Sequence, residues 1–143
     1  MERIGDDAVP WVRHPPRMAS FRKLAVWEKA HALTLLTYRL AEERLVRRYP
    51  ELASQLTRAV ASIPANLAEG LAHRSDAQLN RFLSIAYASA QEADYHFLLA
   101  KDLGAIPVID YAHLEARLTE VRQMLSGLRR RVQARVRDKG KRG

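Results

Sequence analysis

The 143-residue chain predicts an all-α fold, an antiparallel up-down-up-down four-helix bundle, on three observations. Four stretches repeat apolar residues at helical spacing, the connectors between them are a few residues long, and no stretch carries strand signals. Short connectors leave consecutive helices as antiparallel neighbours. With 48% hydrophobic and 28% charged residues, the chain has the composition of one soluble globular domain able to bury a core.

The first helix is expected from Phe21 to about Val46, where Leu24, Trp27, Leu35 and Tyr38 recur without an internal Gly or Pro, and Leu33, Leu36 and Leu40 widen the stripe. Pro50 suits the first turn of a second helix whose apolar positions are Leu52, Leu56, Ala59, Val60, Ile63, Leu67 and Leu71, ending at Gly70 and the His73-Arg74 segment. Ser75 to Gln78 has the pattern of a capping box, and Leu79, Phe82, Ala86, Ala93, Phe97 and Ala100 carry a third helix to a glycine stop at Gly104. After Pro107, Asp110 is expected to cap a fourth helix. Its Leu114, Leu118, Val121, Leu125, Leu128 and Val132 step alternately by four and three, a coiled-coil-like seam. Residues 1–20, with Pro10, Pro15 and Pro16, read as a flexible arm, in which Met18 is a candidate natural start. The bundle is then expected over 21–137, and a disordered basic tail over 138–143.

Inside the second helix, SIPANLAEG (Ser62 to Gly70) interrupts an apolar run with a proline, an asparagine and a glutamate. Pro64 has no N–H, and its ring crowds the carbonyl four residues back, so a kink or restart is expected there, with Ser62 and Asn66 the nearest side chains able to satisfy the freed backbone groups. Gln55, Arg58, Ser62, Asn66 and Glu69 form one polar stripe beside the apolar one. Ser89, Glu92 and His96 offer matching steps on the third helix, so the stripe predicts a cross-helix polar network that fixes register. On that reading Asn66→Leu or Glu69→Leu disturbs assembly or stability first.

The net charge of +8 is unevenly spread. Residues 1–20 balance to zero, whereas 129–143 set Arg129, Arg130, Arg131, Arg135, Arg137, Lys139, Lys141 and Arg142 against Asp138 alone, for +7. A nearly neutral body with a basic end suits contact with nucleic acid. Arginines along a continued helix can meet successive phosphates, giving salt-steep and largely sequence-indifferent affinity. The tail holds no aromatic residue, so no base-stacking platform is expected there. It also lacks the leucine-rich or aromatic face with which a basic helix enters a membrane surface.

Without cysteine the chain has no disulfide, thiolate metal site or cysteine nucleophile, which suits a reducing, cytoplasmic compartment. Neither a signal peptide nor a transmembrane run is expected. No Walker-type loop, Gly-x-Ser-x-Gly or His-Glu-x-x-His occurs. A di-iron bundle site fails on ligand count, because Glu92 and His96 are four apart and the other histidines are scattered. No catalytic residue, cofactor or metal is expected. A hydrolase or nuclease built on Glu69, Glu92 and His96 is the weaker alternative.

The SIPANLAEG core, preceded by Gln55-Leu56-Thr57-Arg58-Ala59 and followed by Arg81-Phe82-Leu83-Ser84-Ile85-Ala86 and Ala88-Ser89-Ala90-Gln91-Glu92, resembles a four-helix-bundle family. That family is labelled the 23S rRNA intervening-sequence, or S23, proteins, and it includes relatives of the accessory variability determinant of diversity-generating retroelements. The likeness runs from about Phe21, with Leu24, Val26 and Trp27, to about Leu128. It implies a protomer that assembles into a homopentameric ring without known catalytic activity. The retroelement relatives are similar pentamers that bind nucleic acid and a reverse transcriptase. The proline-rich arm and the arginine-rich extension depart from the family pattern. The sequence therefore predicts a non-enzymatic homo-oligomer that binds RNA or DNA through its C-terminal cations, with a protein-binding adaptor as the alternative.

Overall fold

The computed structural model describes residues 21–142, so the proline-rich arm and Met18 lie outside the described residues. A short 3-10 turn, Phe21–Lys23, precedes α1 (Ala25–Arg44), followed by α2 (Pro50–Ala72), α3 (Asp76–Asp102) and α4 (Val108–Arg142). Each helix packs on its neighbour in sequence and α1 closes against α4, as an up-down-up-down bundle requires. Among the described residues there is no strand.

The apolar stripes meet in a single core. Leu33 in the middle of α1 and Leu45 just after it, Leu56, Val60, Ile63 and Leu67 of α2, Leu83 and Phe97 of α3, and Leu118, Val121, Leu125 and Val132 of α4 are all fully buried. Alanines at 30, 59, 86, 90, 93 and 100 fill the layers between them and let the helices approach closely. Thr34 and Thr37 are buried in α1, and their hydroxyls donate to the carbonyls of Ala30 (2.8 Å) and Leu33 (2.7 Å) one turn back. At the surface, Lys29 joins Glu120 at 2.8 Å and ties α1 to α4.

Several element ends have local causes. Pro50 occupies the first turn of α2, where a missing N–H is no loss. Ser75 caps α3, its hydroxyl accepting from the Gln78 amide at 3.3 Å. Gly104 takes φ +71° after α3, a conformation in which a Cβ would be strained, and its N–H donates to the Lys101 carbonyl. Asp110 does not cap α4, because the helix begins immediately after Pro107, whose fixed φ already suits it, and the Tyr111 amide bonds back to the Pro107 carbonyl. The chain turns through Phe21–Lys23 before α1 proper, and α1 stops at Arg44 rather than Val46. α4 runs on through Arg142, so residue 137 is not a helix boundary.

Gly70 is not the end of α2 either. It lies inside the helix, buried, and a Cβ built on it would stand 2.9 Å from the Phe82 Cβ and 3.1 Å from Leu79 Cδ1. The glycine lets α2 and α3 approach closely at this level.

Candidate nucleic-acid interface

Two places on the bundle carry the polar residues that the sequence singles out. The first is the SIPANLAEG segment. α2 remains one helix through Pro64, which is buried, so the expected restart does not occur. The Val60 carbonyl, deprived of its donor by Pro64, instead faces the Thr34 hydroxyl of α1 at 3.3 Å. Thr34 has one proton for two carbonyls, Ala30 and Val60, and shares it between them. The repair comes from another helix, and neither Ser62 nor Asn66 supplies it.

Ser62 and Asn66 have a different task. The Ser62 and Ser89 hydroxyls are 2.8 Å apart across the α2–α3 seam, and the Asn66 amide donates to both the Ser62 hydroxyl (2.8 Å) and the Ser62 carbonyl (2.7 Å). This is the cross-helix network in a smaller form. Arg58 and Glu69 are exposed on the protomer and stand outside it. Glu92 stays on its own helix, where its carboxylate meets His96 Nε2 at 3.3 Å. His96 is buried, with Nδ1 unpartnered. Glu69 lies beside Gly70, at the level of Phe82, so it is roughly 15 Å along α3 from Glu92. The structure does not bring Glu69, Glu92 and His96 together. Among the described residues no group of three or more His, Asp or Glu side chains is placed to hold a metal ion.

The second place is the C-terminal half of α4, where seven of the eight predicted cations divide into two sets, the side chain of Arg142 lying outside the described residues. Three are engaged by α3. Arg135 lies 3.3 Å and Lys139 3.4 Å from Asp76, a carboxylate only 2% exposed at the first turn of α3. The favourable field of the α3 N-terminus reinforces that carboxylate. The Arg129 guanidinium stacks 4.8 Å from the centre of the Tyr87 ring, with its Nε buried. Tyr87 therefore puts an aromatic ring beside the basic segment although the tail itself has none.

Arg130, Arg131, Arg137 and Lys141 form the other set, exposed and without an ion pair to any described residue. At about 100° per residue, Arg130, Arg137 and Lys141 fall within about 40° of one another, on the side of α4 roughly opposite its buried seam. Burying Leu125 and Val132 against the core therefore aims these three outward. Between Tyr87 of α3 and the same face of α4 runs an open groove that Thr119, Arg122, Gln123, Ser126 and Arg130 also line. Sequence reasoning missed Thr34, Asp76, Tyr87 and this groove, since each depends on which helices become neighbours. The four-residue spacing of Arg135 and Lys139 was the available hint that both could face one carboxylate.

A family model described as 23S rRNA-intervening sequence protein matches residues 22–127. The chain belongs to that family. A crystal structure from Bacteroides thetaiotaomicron VPI-5482, described as a protein with unknown function from the S23 ribosomal protein family, is 24% identical, with a TM-score of 0.66 over 73% of this chain and 97% of its own. At that identity the likeness shows the shared fold. Comparison with curated proteins finds no match. Arg130, Arg131, Arg137 and Lys141 of this S23-family chain lie beyond residue 127, outside the matched region.

Proposed function

We propose that this S23-family protein is a non-enzymatic, homopentameric nucleic-acid-binding accessory protein that contacts RNA or DNA through the outward face of α4. The observation that carries the reading is the continuous helix through Arg142, which holds Arg130, Arg137 and Lys141 in one exposed stripe without intramolecular counterions. Cations held this way meet phosphates with little cost of desolvation or of breaking existing pairs. Such contacts read charge and spacing, so strong sequence preference does not follow. Assembly is supported by a separate observation: Leu103, Val108 and Ile109 crowd the α3–α4 turn with Val108 71% and Ile109 66% exposed. Among the described residues no helix is long and apolar enough to cross a membrane.

The variant that tests the reading must leave the Asp76 contacts intact. Reversing Arg135 would also break its contact with Asp76, so Arg130→Glu, Arg137→Glu and Lys141→Glu together make the cleaner substitution. Fluorescence anisotropy of the full-length protein on structured RNA and single-stranded DNA is expected to show affinity falling steeply with salt. The triple variant is expected to lower the slope of log K against log salt by about two to three, roughly 0.7 to 0.9 for each lost phosphate contact. Absence of binding at low salt would leave the adaptor reading, in which the helical surface holds a protein such as a reverse transcriptase.

A further inference from the structure

We infer that the groove between α3 and α4 is a phosphodiester subsite, the inner end of the cationic track on α4. The inference rests on the nucleic-acid reading above and names the part of the surface that seats the backbone first. The groove encloses about 370 Å³ and is lined by Tyr87, Thr119, Arg122, Gln123, Ser126 and Arg130. No carboxylate is among its lining residues. Tyr87, Gln123, Ser126 and Arg130 carry hydrogen-bonding groups that have no hydrogen-bond partner among the described residues, so the groove presents an unspent set of donors. Phosphate oxygens accept hydrogen bonds and cannot donate them when ionised, which is the complement of that set.

Arg122 is already held in place. Its NH1 donates to Gln91 Oε1 at 2.7 Å and to Asp94 Oδ2 at 3.2 Å, and its NH2 to Thr119 Oγ1 at 3.4 Å. Arg129 is held by Tyr87 at the same level. Arg122 and Arg130 line the groove and Arg129 stacks on its Tyr87 ring, while the Asp94 carboxylate is paired with Arg122, and the surplus positive charge favours an anion. Holding Arg122 and Arg129 in advance reduces the ordering that a ligand must impose.

The direction of the groove selects a polymer over a small anion. Gln123, Ser126 and Arg130 share the face of α4 that continues to Arg137 and Lys141, and the span from Gln123 to Lys141 is about 27 Å along the axis. A single phosphate or nucleotide occupies only one end of such a track. A nucleic-acid strand offers a negative charge at every step and can fill its length.

The test compares full-length wild type with Gln123→Glu and Ala112→Glu, binding a fluorescein-labelled 20-nucleotide oligouridine. Both substitutions are at exposed α4 positions and change the charge equally, but Ala112 is roughly 16 Å from Gln123 along the helix. Gln123→Glu is expected to weaken binding by roughly fivefold or more, because it sets a carboxylate against the phosphodiester, whereas Ala112→Glu stays within about twofold. Circular dichroism confirms equal folding. Equal weakening by the two variants, or none by either, would overturn the subsite while leaving wild-type binding in place. Wild type that fails to bind at low salt would overturn the nucleic-acid reading itself, and the subsite with it.

Discussion

Pro64 removes the amide that would have donated to the Val60 carbonyl, and the Thr34 hydroxyl stands where that donor is missing. The two residues should therefore be energetically coupled. Thr34→Val keeps the shape of the side chain but strands a buried carbonyl, and is expected to cost about 1 to 2 kcal/mol in chemical denaturation. In a Pro64→Ala background the backbone N–H returns, so the same substitution should cost clearly less. Equal costs in the two backgrounds would show that Thr34 serves only its own helix through Ala30. Gly70 gives the second single-residue prediction. An alanine there gains about 1 kcal/mol of helix propensity, yet its Cβ would meet the Phe82 Cβ at 2.9 Å, and neither atom can rotate away. Prising α2 from α3 is expected to win by about 1 to 2 kcal/mol, seen as a lower melting temperature. A higher melting temperature for Gly70→Ala would refute the close-approach role.

At the scale of the helix, the C-terminal turns of α4 reach past most of the core and are tied to α3 chiefly through Asp76. Arg135 and Lys139 are exposed enough for solvent to weaken their pairing, so the tie acts on the last turns rather than on the whole bundle. Asp76→Asn is expected to increase amide hydrogen exchange in residues 131–142 while the Leu118 to Leu125 segment stays protected. Unchanged exchange in those turns would show that Val132 and Val136 hold them without the carboxylate. The element level is also where the sequence was most and least legible. The seam from Leu114 to Val132 was readable because burial repeats at helical spacing, and Ser75 and Gly104 were readable because caps are local chemistry. The partners of Pro64 and Asp76 were not, because Thr34 is 26 residues from Val60 and Arg135 is 59 from Asp76. Periodicity says which face turns inward but does not say which side chain waits opposite. Arg58 and Glu69 show the converse error: they share a stripe with Ser62 on a helical wheel, yet both are exposed.

For the whole molecule, the two ends of α4 pose different problems. At its start, Leu103, Val108 and Ile109 leave apolar surface in water, whereas at its end Arg137 and Lys141 leave charge without counterions. A homo-oligomer would cover the first kind of surface and multiply the second, because each added protomer brings another basic face. Light scattering of the full-length protein at micromolar concentration is expected to return five times the 16.3 kDa of one chain. The count matters for binding. If one nucleic acid reaches two or more faces, the later contacts become intramolecular and apparent affinity rises by roughly 10² to 10⁴ over a single face. Oligonucleotides of increasing length are therefore expected to show a sharp gain in affinity once they can bridge neighbouring protomers. A mass of 16.3 kDa with affinity rising only gradually with length would mean that one α4 acts alone. The apolar turn around Val108 would then need a different partner to cover it.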